Sequence, residues 1–173
     1  GIYGTVAQLG RAPPEYATAL DTAAGGRLRN VVVETDAVAS GAIRFLKENR
    51  LGRVTFLPLN KLRAPEIPLL SENRVIDYAL NLLEYDTVYD KVFRQVFGRT
   101  VVVGRLDEAR KLIGRYRMVT LEGELLEMGG AMTGGSQKKT VGGFGVAVDD
   151  EINSITHEIM ALNADAADLE QAV

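Results

Sequence analysis

The stretch Val119–Ser136 limits this chain more than any other segment. It opens as a hairpin, with short apolar runs at Val119–Leu121 and Leu125–Met128 and Glu122-Gly123 between them, where a tight turn needs a residue with φ > 0. Two glycine pairs follow, Gly129-Gly130 and Gly134-Gly135, around Ala131-Met132-Thr133. Ordering glycine costs more backbone entropy than ordering any other residue, so such clusters mark places where backbone approaches something closely. A phosphate, a neighbouring strand or a second chain would each satisfy that geometry.

The segments before this stretch alternate between helical and strand patterns. Pro13-Pro14-Glu15 starts a helix whose apolar face is Tyr16, Ala17, Leu20, Ala23 and Ala24, and Gly25-Gly26 ends it. Val31–Val33 is the core of a buried strand, Asp36 is placed to cap the next helix, and a strand runs from Arg53 to Leu59. The same order returns as Asp86, a helix ending at Gly98, the strand Thr100–Val103, a helix capped by Asp107 and the strand Arg117–Leu121. Strands alternating with helices predict an α/β (mixed α+β) fold of two small pseudo-repeated lobes. The expected divisions are lobe I over 1–59, a Pro-rich connector over 60–74, lobe II over 75–136, a junction over 137–148 and a helical stub over 149–173.

In that last segment Ile152, Ile155, Ile159, Leu162, Ala166, Leu169 and Val173 fall at alternating steps of three and four, an a/d seam expected of a coiled coil. The competing reading is an amphipathic helix packed on its own domain. His157, the single histidine, takes an outward f position.

Charge separates along the chain. Seven acids and no Lys or Arg fall in 149–173, leaving 20 basic against 16 acidic residues before position 149, a net of +4. A mildly basic body is compatible with nucleic-acid contact, and equally with an ordinary mixed-charge surface. Tyr116 and Phe144 stand near basic residues, an arrangement that can hold single strands by stacking. The absence of cysteine excludes disulfides, thiolate metal sites and cysteine nucleophiles. No apolar run reaches transmembrane length, and no Ser/His/Asp or His/carboxylate pattern marks a catalytic site. A nucleotide- or nucleic-acid-binding α/β module is the alternative function. Thr133–Thr140 has the length of a phosphate loop and ends in Lys139-Thr140, but Thr133 and Lys138 occupy its two glycine positions.

The paired-glycine motif and its lead-in Val119-Thr120-Leu121-Glu122-Gly123-Glu124 closely resemble the hinge domain of SMC chromosome-maintenance proteins. So do Gly25-Gly26-Arg27-Leu28, Val31-Val32-Val33-Glu34 and Arg53–Leu59, the resemblance spanning about residues 2–136. The pattern is most similar to prokaryotic, archaeal homodimeric members. The resemblance implies a two-lobed hinge joining two chains at the far end of long coiled-coil arms, in a ring-like dimer with two interfaces. Gly129, Gly130, Gly134 and Gly135 would lie at those interfaces. It further implies weak DNA binding near the coil junction, with Lys138 and Lys139 as the matching residues. ATP and Mg would belong to a separate head domain of the parent protein, with no cofactor in this segment. The expected partners are a second copy, DNA and the coiled-coil arm of the same chain, with no membrane. The expected location is cytoplasmic and chromosome-associated.

Overall fold

The computed structural model describes residues 1–136, 142–145 and 162. Strand β1 (Ile2–Thr5) leads through α1 (Val6–Leu9) to β2 (Gly10–Arg11). A 3-10 turn at Pro14–Tyr16 opens α2 (Ala17–Ala24), followed by β3 (Val31–Val33), α3 (Asp36–Glu48) and β4 (Phe56–Pro58). An irregular stretch then reaches β5 (Asp77–Tyr78), α4 (Ala79–Leu82), β6 (Glu84–Tyr85), α5 (Asp90–Phe97), β7 (Val101–Val103), α6 (Leu106–Arg110) and β8 (Met118–Thr120). The described elements close with β9 (Leu125–Leu126) and β10 (Met132–Thr133).

The order β1-α1-β2-α2-β3-α3-β4 is repeated as β5-α4-β6-α5-β7-α6-β8, and the repetition extends to single hydrogen bonds. Gly25 and Gly98 end their helices at φ +56° and +54°, a region glycine enters without a Cβ penalty. Val6 N donates to Asn30 O at 2.9 Å as Ala79 N does to Thr100 O at 2.9 Å. Leu59 N donates to Val33 O at 3.0 Å as Leu121 N does to Val103 O at 3.1 Å. In each repeat the Val triplet lies antiparallel to the first strand and parallel to the last. Both triplets are fully buried, as a strand covered on both faces requires.

The repeats share one apolar core. It runs from Val6, Leu20 and Val32 through Leu57 to Phe93, Val102, Met118 and Leu126. Helix α2 of the first repeat lies against β8 and α5 of the second. A two-stranded antiparallel ladder, Gly10 opposite Tyr85 and Arg11 opposite Glu84, joins them directly. Each of its strands thus faces its own counterpart. A smaller cluster, Val31, Val33 and Ala39, lies on the other face of β3.

Two helix caps differ from expectation. Thr35, not Asp36, caps α3, its Oγ1 accepting from Val38 N at 3.2 Å. Asp36 is already the first helical residue, and its carboxylate accepts from Asn60 Nδ2 at 2.7 Å. Helix α6 begins one residue before Asp107, whose carboxylate pairs with Arg105 at 3.4 Å instead. Asp86 caps the 3-10 turn Thr87–Tyr89 that leads into α5, accepting from Val88 N at 3.0 Å.

Between β4 and β5 the chain follows the second repeat. Gln95 Nε2 donates to Arg63 O at 3.3 Å, Arg99 Nε to Glu66 O at 3.4 Å, and Arg115 pairs with Glu72 at 3.3 Å. Leu62, Ile67, Leu70 and Val75 pack on the main core.

Candidate subunit interface

The two repeats part company after their last strands. Sheet β1-β3-β4 stops at β4, whereas β5-β7-β8 continues into β9 and β10. The continuation is the hairpin expected around Glu122-Gly123. Thr120 N donates to Glu124 O at 2.9 Å and Gly123 N to Thr120 O at 3.0 Å. The buried Thr120 hydroxyl donates to Glu124 Oε2 at 2.7 Å and accepts from Glu124 N at 3.1 Å. Below it, Arg117 binds Glu127 Oε2 at 3.1 Å, Thr100 Oγ1 at 3.0 Å and Ala23 O at 3.1 Å. The hairpin base is therefore tied to β7 and to the end of α2.

Strand β10 forms the open edge. Glu127 N donates to Ala131 O at 2.8 Å, and Thr133 lies opposite Leu125. Because antiparallel pairing alternates, Met132 and Gly134 turn their peptide groups away from β9. Every residue from Met128 to Ser136 is exposed, including the large apolar side chains of Met128 and Met132. Of the four predicted glycines, Gly129 and Gly130 lie in the turn that leads into β10, and Gly134 and Gly135 follow the strand. Gly130 and Gly135 adopt φ of +98° and +126°. A Cβ on Gly134 would stand 3.1 Å from Glu124 Cγ, while one on Gly129 would meet nothing within 4 Å.

The outer edge of β4 is the counterpart of the β8 edge that β9 covers. Val31 N donates to Thr55 O and Leu59 N to Val33 O, so Phe56 and Pro58 face outward by alternation. Pro58 has no N–H to offer, which places it where a proline is tolerated in a sheet. Among the described residues no strand pairs with that edge.

Lys138, Lys139, Ile152, Ile155, Ile159, Ala166, Leu169, Val173 and His157 lie outside the described residues. Leu162 is helical and half-buried, packed against the cluster of Val31, Val33 and Ala39. Phe144 is not a surface aromatic. It is fully buried, with its ring centroid 6.2 Å from that of Phe93 and 5.9 Å from that of Phe97, so it has no face for a base. Tyr116 is already stacked under Arg115 at 5.9 Å. The phosphate-loop alternative gains nothing, because Thr133 is part of a strand paired with β9. Among the described residues no group of His, Asp and Glu is placed to hold a metal, and no helix is long and apolar enough to cross a membrane.

Sequence reasoning missed two contributors. Pro58 and Phe56 were read as plain strand residues, and only the comparison of the repeats exposes their free edge. Arg117, which the sequence marks only as the start of a strand, reaches the end of α2, 94 residues earlier.

The family model described as SMC proteins Flexible Hinge Domain matches residues 1–113. The Chromosome partition protein Smc of Gloeobacter violaceus is 55% identical over 151 residues, which are 87% of this chain and 13% of that protein. The chain thus spans about one eighth of the length of such relatives. A solved asymmetric dimer of the Geobacillus stearothermophilus SMC hinge domain superposes with a TM-score of 0.74 at 34% identity, covering 99% of this chain and 72% of that one. The Pyrococcus furiosus Smc hinge domain with an extended coiled coil gives 0.74 at 39% identity, covering 99% and 60%. These matches do not separate archaeal from bacterial members. With the repeated α/β architecture and the glycine-rich edge already in place, the chain belongs to the SMC hinge domain family.

Proposed function

We propose that this chain is a dimerisation hinge that joins two chromosome-partition proteins at the ends of their arms. The observation that carries the reading is the open β10 edge with outward peptide groups at Met132 and Gly134, exposed along its whole length. An unprotected edge in a soluble protein is normally blunted or paired. The four glycines let a second backbone come close. The outward peptide of Phe56 on β4 offers the complementary edge, since the second repeat fills the same place with its own β9. Pairing β10 of each chain with β4 of the other gives a closed two-fold assembly with no spare edge.

The solved asymmetric dimer of the Geobacillus stearothermophilus hinge supports dimerisation. Light scattering tests it: a dimer at micromolar concentration is the expected result, and a monomer would overturn it.

The hinge is non-enzymatic in this reading. ATP hydrolysis belongs to another part of the parent protein, in the cytoplasm and on the chromosome. DNA contact is a secondary role for Lys138 and Lys139, which follow the glycine edge directly. Its mark is affinity that falls steeply with salt, and a flat response removes it.

A further inference from the structure

The segment after the second repeat returns to the seam between the repeats. Phe144 N donates to Asp21 Oδ1 on α2 at 2.7 Å. The backbone of Gly143 lies so close to the same carboxylate that a Cβ there would overlap Asp21 Oδ2. The Phe144 ring enters between Phe93 and Phe97 of α5. It also lies against β2, where a Cβ on Gly10 would stand 3.1 Å from Phe144 Cε1. A Cβ on Gly145 would stand 3.2 Å from Ala12 N. Gly143, Phe144 and Gly145 therefore touch α2, α5 and β2, three of the elements that join one repeat to the other.

Neither repeat has a counterpart to this segment, and none of its described residues is in a regular helix or strand. Among the described residues, the Phe144 ring and the Asp21 carboxylate make its main contacts. The Asp21 carboxylate is partly buried, and burial raises its pKa although the Phe144 N–H opposes the shift.

We infer that Gly142–Gly145 is a clasp, with Phe144 as its plug and Asp21 as its catch, that sets where the chain leaves the paired repeats and that can unseat while the sheets remain folded. Among the described residues it makes no ladder hydrogen bonds, so its opening free energy lies below that of the buried strands although the Phe144 ring is core. This inference rests on the hinge reading only for its consequence: in a hinge, the segment leaving this point is the one that leads toward an arm. The clasp itself is tested independently of dimerisation.

Amide exchange followed by NMR on the 173-residue chain separates the possibilities. Asp21→Ala removes the acceptor and Gly143→Ala forces a methyl into the catch. Each is expected to speed exchange of the Phe144 amide by about tenfold or more, the scale of losing one charge-assisted hydrogen bond. Val101–Val103 should keep wild-type protection in both variants. Asp21→Asn retains an acceptor and should leave the Phe144 amide protected. In the Asp21→Ala background, Gly143→Ala should add little, because its clash partner is gone. Unchanged Phe144 exchange in both single variants would overturn the assignment of Asp21 as the catch. Exchange rising equally in Val101–Val103 would show the segment to be inseparable from the global fold and overturn the clasp. A monomeric chain with the expected exchange pattern would leave the clasp intact while the hinge reading failed.

Discussion

Arg27 Nη1 donates to Val96 O at 3.1 Å, and Arg117 Nη1 donates to Ala23 O at the same distance. Ala23 and Val96 hold equivalent places, each two residues before the glycine that ends its helix. Each repeat thus sends an arginine to the open C-terminal carbonyls of the other's helix, where a cation meets the negative end of the dipole. Arg117→Ala should cost about 1–3 kcal/mol in urea unfolding, because it also strands Thr100 and Glu127. Arg27→Ala should cost less, and Arg117→Lys should recover only part, since a lysine cannot reach three acceptors in one plane.

The interface glycines should separate into two classes. Gly129 is free of neighbours and of positive φ, so Gly129→Val should leave the monomer's melting temperature nearly unchanged while light scattering shows dissociation. Gly130→Val and Gly135→Val should lose about 1–3 kcal/mol of fold stability as well, from strain at φ of +98° and +126°. A Gly129 variant that stays dimeric at low micromolar concentration would remove that residue from the contact.

Asp21 supplies a pH test. Its pKa is raised by burial, so the folded state favours the neutral acid more than the unfolded state does. Its contribution is fully present below the unfolded pKa and is lost as pH rises through the folded value. Asp21→Asn should therefore be at least as stable as wild type at pH 7, with the gap closing as the pH falls below that of an ordinary carboxylate. Urea midpoints at the two ends of that range read the difference directly.

Phe144→Ala should be among the costlier single changes, about 3–5 kcal/mol if the seam cannot collapse around the loss. Thr35→Ala should cost about 1 kcal/mol as a lost cap, and Asp36→Ala less, which a thermal melt of the pair would rank.

The internal duplication was readable because its punctuation is chemical. Gly25 and Gly98 end helices, and uninterrupted Val triplets mark strands buried on both faces. The hairpin was readable for the same reason, through Gly123. What stayed hidden depends on contacts distant in sequence. Phe144, inside Gly142-Gly143-Phe144-Gly145, has the local composition of a loose loop, and only Phe93, Phe97 and Gly10 make it core. The cap of α3 falls one residue before the expected one because Thr35 and Asp36 are both good N-cap residues, and Asn60, 24 positions away, claims the aspartate. The open edge of β4 has no sequence mark beyond Pro58. It becomes visible only when the repeats are superposed and one is found to lack what the other has.

The ladder of Gly10-Arg11 against Glu84-Tyr85 makes each chain a pair of pseudo-equivalent halves about a local diad. In the proposed dimer four such halves follow one another around a circle, and their joints are of two kinds. Those within a chain are buried in a continuous core and crossed by two arginines, so they part only when the chain unfolds. Those between chains consist of edge strands and glycine backbone. In such a ring only joints of the second kind can part while both chains stay folded, and the two stand opposite one another.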